Sequence, residues 1–259
     1  MRVFVTGSAD GLGRATAQTL LDSGHHVVVH ARKTARLGAV KDLVDRGAAA
    51  VVGDFSDPEQ TRDVAQQVNA IGPMDAVIHN AGVLHSHDIF QVNVVAPYLL
   101  TALIDRPQRL VYLSSGMHRG GRTDLSRLDR DAAKVTYSDS KLYLTALAAA
   151  VARLWPDVLS NAVDPGWVPT RMGGAGAPDD LRLGHLTQEW LATSDDPAAL
   201  TNGGYWFHQN REKPHHAARD ERFQNALLDH LAGITGEVLA CRGYLTAARW
   251  RSRVIRSRR

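Results

Sequence analysis

The sequence predicts an α/β fold: a doubly wound parallel sheet of about seven strands with helices on both faces. Three observations predict it. Short apolar runs alternate with helix-patterned segments along most of the chain, the order that sandwiches parallel strands between helical layers. The first apolar run passes straight into a cluster of glycines that opens a helix pattern, and strand, tight turn and helix form the unit from which such sheets are built. The length of 259 residues, with 44% hydrophobic and 22% charged, suits one substantial globular α/β domain.

The elements follow in order. Met1 to Val5 supplies the first strand, Arg14 to Ser23 a helix that Gly24 stops, and Val27–Ala31 the second strand. Ala49–Gly53 reads as the third strand. Ser56-Asp57-Pro58-Glu59 then gives a helix start, with a capping residue, a proline in the first turn and an acid near the positive dipole end. Ala76–His79, Leu110–Ser114 and Leu159–Val163 read as the fourth to sixth strands, and Gly203–His208 as the last. A helix pattern starts at Tyr137 and runs to Val151. Residues 172–200 cluster glycine, proline and aspartate around a short helical segment, Leu186–Ala192, and residues 214–233 read as a C-terminal helix. The predicted domain is 1–236, followed by a basic extension, 237–259, with no assignable role.

Two motifs carry chemistry. In Thr6-Gly7-Ser8-Ala9-Asp10-Gly11-Leu12-Gly13 the glycines allow a tight turn and close backbone approach to a pyrophosphate, and the helix N-terminus offers N–H groups to the anion. The spacing is Gly-x-x-x-Gly-x-Gly rather than Gly-x-Gly-x-x-Gly. Farther on, Tyr137 and Lys141 stand four residues apart, so the phenol and the ammonium share one helix face. A free phenol ionises near pH ~10, and a neighbouring cation lowers that value. The expectation is a proton donor and acceptor usable near neutrality. Each motif alone is also what an ordinary glycine loop or a solvated helix would carry.

Taken in order, Thr6-Gly7-x-x-x-Gly11-x-Gly13 and Tyr137-x-x-x-Lys141 resemble the short-chain dehydrogenase/reductase family in its classical branch. Further matches fall in the family's order across about residues 1–210. Asn80-Ala81-Gly82 resembles the motif after the fourth strand, Asn93 the helix asparagine of the catalytic set, and Ser115 the catalytic serine. Pro165-Gly166, with Val168 and Thr170, resembles the motif that clasps the nicotinamide side. The resemblance implies a single-domain Rossmann fold and hydride transfer between a nicotinamide and a carbonyl or alcohol. It implies Tyr137 as acid and base, and Lys141 lowering the tyrosine pKa and holding the nicotinamide ribose. It further implies Ser115 polarising the substrate oxygen, and Asn93 holding a water that relays protons to Lys141. Cofactor contacts fall on Gly7, Ser8, Asp10, Gly11, Leu12, Gly13, Arg32, Asp54, Asn80, Ala81 and Gly82, then on Tyr137, Lys141, Pro165, Gly166, Val168 and Thr170. Asp54 resembles the residue that contacts the adenine amino group, although it also fits a cap for the following helix. Residues 172–200 lie where the family keeps its substrate lid.

The end of the second strand decides between the dinucleotides, because an acid there holds the ribose 2′-hydroxyl and a base holds a 2′-phosphate. The chain reads His30-Ala31-Arg32-Lys33, two cations and no carboxylate. Arginine matches phosphate with a planar two-donor fork, so NADP(H) is the expected cofactor, with NAD(H) as the other. Asp10 counts against it, since some NADP-preferring relatives carry a base there.

Two departures stand out. Asn80 and Asn93 are 13 positions apart, roughly half the separation the resemblance implies, so the active-site wall is expected to be truncated there. The residue before Asn80 is His79 rather than asparagine, read as a buried strand residue. A cofactor-binding regulator without turnover is the rival that the short connection favours and the complete Asn93, Ser115, Tyr137 and Lys141 set opposes. An epimerase or dehydratase of the extended branch is disfavoured by the glycine spacing and modest length.

Composition bounds the rest. The single cysteine, Cys241, permits no intramolecular disulfide, which fits a reducing, cytoplasmic setting. The first strand begins almost at Met1, so no signal peptide is expected, and no apolar run approaches the ~20 residues of a membrane helix. Six arginines between Arg249 and Arg259 account for the net charge of +3; without them it is −3. A solvated terminus explains that tail better than nucleic-acid binding. No His, Cys and acid cluster, His85, His87, His215 and His216 included, has metal-ligand spacing, so no metal is expected. Trp167, Met172, Trp190 and Trp206 are apolar candidates for a substrate pocket. The expected partner is a small carbonyl or alcohol substrate, and the resemblance implies a homodimer or homotetramer. Ala146, Ala148, Ala149, Ala150 and Ala152 would permit close helix packing in it.

Overall fold

The computed structural model describes residues 1–239, apart from the side chains of Asp129 and Arg130; residues 240–259, with Cys241 and the arginine cluster, lie outside it. The strands are β1 (Arg2–Val5), β2 (His26–Ala31), β3 (Ala49–Val52), β4 (Ala76–His79), β5 (Arg109–Leu113), β6 (Leu159–Asp164), β7 (Tyr205–Phe207) and β8 (Asn210–Glu212). The helices are α1 (Gly11–Asp22), α2 (Lys41–Asp45), α3 (Pro58–Ile71), α4 (Ala96–Leu103), α5 (Ser126–Asp131), α6 (Tyr137–Leu154), α7 (Leu181–Thr193) and α8 (Glu221–Thr235). The sheet order is β3-β2-β1-β4-β5-β6-β7-β8.

The seven expected strands are present and mutually parallel. The eighth is an addition: β8 returns antiparallel along β7. His208 and Gln209, with φ of 46° and 61°, make the two-residue turn between them, because positive φ at both central positions matches the twist of the paired strands.

Strand side chains alternate between two apolar clusters, as a sheet covered on both faces requires. Val3, Val5, Val27, Val29, Ala76 and Ile78 join one cluster with Ala17 and Leu20 of α1, Leu43 of α2 and Leu191 of α7. Phe4, Val28, Val77, Leu110 and Tyr112 join the other with residues of α3, α4, α6 and α8. Trp190 and Trp206 meet edge to face at 5.2 Å within the first cluster, so they are packing residues and not pocket walls.

Two further expectations change. The helix expected over Leu186–Ala192 is the longer α7, started by Asp180, whose side chain accepts from Leu183 N. It docks against α1 and β5, so the second half of the presumed lid region is a layer of the fold. On α6, Ala146, Ala148 and Ala150 are buried within the chain itself, leaving only Ala149 and Ala152 partly exposed for a partner.

The order β2-β1-β4 places the chain reversal between β1 and β4. Loops leave the ends of these two strands in opposite directions and open a crevice there.

Candidate active site

The crevice at that reversal is a cleft of about 570 Å³. Its floor is the glycine turn after β1. Gly7 has φ of 64°, and a Cβ there would stand 2.9 Å from the Ala81 Cα, so both conformation and space demand glycine. A Cβ on Gly13 would stand 2.6 Å from the Gly7 carbonyl and in collision with the Asn80 amide. That amide donates to the Thr6 carbonyl at 2.9 Å and the Gly7 carbonyl at 3.3 Å. The Thr6 hydroxyl accepts from Asn80 N and Ala81 N, each at 2.9 Å. The turn after β1 and the segment after β4 are thereby one rigid body. No side chain caps the N-terminus of α1, whose first residues Gly11 and Leu12 line the cleft. Open N–H groups and a positive dipole end meet the glycines there, the setting that accepts a pyrophosphate.

At one end of the cleft, His30 stacks on Phe55 at 4.1 Å. The His30 Nδ1 accepts from Gly7 N at 3.0 Å, which leaves Nε2 to donate to the Gly53 carbonyl at 2.8 Å. Burial pushes this imidazole down to about 4, so it is neutral and fixes the glycine turn to the end of β3. Arg32, Lys33 and Arg36 line the same end. Arg32 Nε pairs with Asp54 at 2.7 Å while its side chain stays 61% exposed, leaving its terminal nitrogens accessible. Arg36 pairs with Asp10 at 3.0 Å. Asp54 accepts from Ser56 as well, whereas Asp57 caps α3.

At the other end, Thr136 and Asp139 form a capping box that starts α6 at Tyr137. Asp139 also grips Arg122 through its backbone N–H and guanidinium, which pins the loop before α6. Lys141 is buried, and its Nζ donates to the Leu113 carbonyl at 2.6 Å. It stands 5.3 Å from the centre of the Tyr137 ring. Burial pushes Lys141 down to about 8 against the opposing charge of Asp164. Burial pushes the Tyr137 phenol up to about 12, with the Ser115 hydrogen bond opposing. That direction is opposite to the expected lowering, and burial is its largest cause. The two neighbouring serines divide. Ser114 bonds Thr145 at 2.6 Å inside the fold, and Ser115 meets Tyr137.

A π-helical segment, Gln91–Val95, carries Asn93; such turns often mark functional positions. Despite the short connection, fully buried Asn93 reaches this end. The Gly82 side-chain position lies 3.4 Å from its Oδ1 and 3.6 Å from the Lys141 Nζ. Its amide accepts from Val83 N and donates to the Val83 carbonyl and the Ser140 hydroxyl, so both its N–H bonds are engaged in holding the wall.

The family model for short chain dehydrogenase matches residues 1–106. An uncharacterized oxidoreductase of Emericella nidulans is 35% identical over 251 residues, covering 91% of this chain and 97% of that protein. A short-chain dehydrogenase of Penicillium rubens is 34% identical over 255 residues, with the same coverage of 91% and 97%. The chain belongs to the short-chain dehydrogenase/reductase family. It is an NAD(P)-dependent oxidoreductase acting on a small molecule. In fold it matches the blue fluorescent protein from a metagenomic library, whose crystal structure contains NADPH. The TM-score is 0.65 at 22% identity, covering 80% of this chain and 95% of that one.

In this short-chain dehydrogenase the cleft wall includes Gly7, Asp10, Gly11, Leu12, Arg32, Asp54, Asn80, Ala81, Gly82, Tyr137, Lys141, Pro165 and Thr170. Ser8, Gly13, Asn93, Ser115, Gly166 and Val168 stand outside it. The Ser8 hydroxyl is spent between Val5 and His30, and Val168 is buried. Of the apolar candidates, Met172 lines the cleft and Trp167 is 61% exposed. His79 is buried and stacked on Tyr112. Among the described residues no group of three or more His, Cys, Asp or Glu is arranged to hold a metal ion, and no helix is long and apolar enough to cross a membrane. The sequence reading did not single out Arg36, His118, Asp164 or Tyr205. Arg36 and Asp164 left a signal: a third cation after the second strand, and an acid directly before Pro165-Gly166.

Proposed function

We propose that the protein is an NADPH-preferring carbonyl reductase, reversible as an alcohol dehydrogenase, with Tyr137 as its acid and base. The observation that carries this reading is the pairing of Tyr137 and Lys141 at one end of a cleft, with Ser115 bonded to Tyr137 behind its wall, while the other end holds the glycine turn and three cations. The residues suit a dinucleotide: a cradle that side chains would fill, an uncapped helix N-terminus, and cations without a carboxylate at the end of β2. When bound, the nicotinamide supplies or takes the hydride.

The chain's own groups do the rest. Tyr137 gives its phenolic proton to the alkoxide oxygen as a carbonyl is reduced, and its phenolate takes the proton back in alcohol oxidation. The Lys141 ammonium stabilises that phenolate and would hold the nicotinamide ribose. Ser115 accepts from Met117 N at 3.3 Å and bonds Tyr137; a substrate oxygen seated against the two would take the Ser115 O–H as charge develops there. Asn93 keeps Val83 and Ser140 in place beside Lys141. Met172 in the wall, with exposed Met117 and Trp167 on adjoining segments, gives apolar surface for the substrate's carbon frame. The terminal nitrogens of Arg32, tethered through Nε to Asp54, would hold the 2′-phosphate, with Lys33 and Arg36 adding charge.

Calorimetric titration with NADPH and NADH, on the wild type and Arg32→Ala, tests the cofactor reading. The expected result is tighter NADPH binding, weakened in the variant by roughly tenfold or more for a lost charge-assisted fork, with NADH little changed. Equal affinities for the two dinucleotides would overturn the preference.

A further inference from the structure

The carboxylate of Asp164, at the end of β6, is a charged group beside the reaction centre to which the mechanism above gives no part. It has a definite seat. Its Oδ1 accepts from Gly166 N at 3.0 Å, inside the turn that follows Pro165. Its Oδ2 accepts from the Tyr205 hydroxyl of β7 at 3.1 Å. A Cβ on Gly116 would lie 3.0 Å from that same oxygen, so Asp164 presses against the residue that follows Ser115. Tyr205 in turn stacks at a tilt on His118, 4.6 Å between ring centres. His118 is buried, and its Nδ1 donates to the Ser115 carbonyl at 2.7 Å because Nε2 is taken by His215 N at 2.9 Å. Both sides of the Ser115–Gly116 turn therefore lead back to Asp164.

We propose that Asp164 is a positioning residue of the reaction centre: it locks the Ser115–Gly116 turn against the Pro165–Gly166 turn, and from that seat its carboxylate answers the charge of Lys141. The inference rests on the roles given above to Tyr137, Ser115 and Lys141.

The surrounding charges support it. From α6, Lys141 and Tyr137 both feel the Asp164 carboxylate: it opposes the loss of charge that burial imposes on Lys141, and it adds to burial in resisting the Tyr137 phenolate. From the turn after β5, His118 feels burial first, with Asp164 opposing it and Arg119 and His215 reinforcing it. From β7, Tyr205 keeps its proton and donates it to Asp164. Arg119 lies 5.6 Å over the Tyr205 ring and is paired with Glu212 at 2.7 Å, so its charge is already answered. Asp179 and His208 face the far side of the Gly166 turn.

The test is a pH titration of the full chain carrying 13Cε-labelled lysine, followed by NMR, with Lys141→Arg assigning the buried signal. In the wild type Lys141 should titrate near about 8, apart from the other lysines. In Asp164→Asn its midpoint should move to lower pH, and in Asp164→Glu, which keeps the charge, it should stay near the wild-type value. Tyr205→Phe removes the hydrogen bond but not the charge and should also leave the midpoint in place, whereas a merely structural role would make all these variants alike. If Asp164→Asn does not fold, Asp164→Ser removes the charge with a smaller polar group and carries the same comparison. An unmoved Lys141 midpoint in the neutral variant overturns the inference. The readout needs no substrate, so a wild type without turnover would overturn the proposed function and not this one.

Discussion

The Tyr137 phenol sits where burial and hydrogen bonding oppose each other, and burial wins. A phenol held near about 12 keeps its proton until a more basic alkoxide forms beside it. Tyr137→Phe removes the donor and keeps the ring. The expected outcome is a fall in kcat of ~10²–10⁴-fold with NADPH affinity unchanged, checked by steady-state kinetics beside calorimetry. His30 gives a second prediction at this scale. Its folded value of about 4 lies below the ordinary 6.5, so between those values the unfolded chain binds a proton that the folded one does not. The stability tied to neutral His30 is therefore complete above pH 6.5 and lost as pH falls toward about 4, worth about 3 kcal/mol across that window. Urea unfolding of wild type and His30→Gln across pH 4 to 7 reads it directly: the difference between them should shrink as the pH drops, and a constant difference would remove the argument.

Elements place these residues. Tyr137 is the first residue of α6, and the capping box of Thr136 and Asp139 decides where that helix begins. Asp139 does two jobs, since it also holds Arg122. Asp139→Ala should cost about 1–2 kcal/mol in stability from the lost cap, read as a lower urea midpoint. The frayed helix start should reduce kcat more than it raises KM, because the misplaced group is the proton donor. The short connection after Asn80 leads into the π-helical segment that carries Asn93. Asn93 and Lys141 both border the position of Gly82, so the shorter wall still brings them together.

At the scale of the molecule, the reversal of strand order between β1 and β4 makes a cleft whose two ends come from distant parts of the chain. A ligand that bridges both ends stabilises the folded state by mass action, about 3 kcal/mol at a hundredfold excess over Kd. Thermal unfolding should therefore shift upward with NADPH more than with NADH at equal concentration. Arg32→Ala should close that gap without lowering the transition of the free protein, because its exposed pair with Asp54 contributes little.

The order of strands and helices, the glycine turn and the Tyr137 and Lys141 pair were legible from residues alone, because period, turn chemistry and helix spacing are local properties. So was the absence of a carboxylate at the end of β2, which lies within one short stretch of chain. Other features required tertiary structure. The antiparallel β8 depends on two residues adopting positive φ without glycine, which local propensity argues against. Trp190 and Trp206 became core because α7 docks on the sheet, and Ala146, Ala148 and Ala150 because α6 is covered by its own chain. The direction of the Tyr137 shift was decided by burial, and the seat of Asp164 by the approach of β6, β7 and the turn after β5. Spacing along the chain sets which groups share a face; desolvation, and which charges answer one another, exist only once distant segments have been brought together.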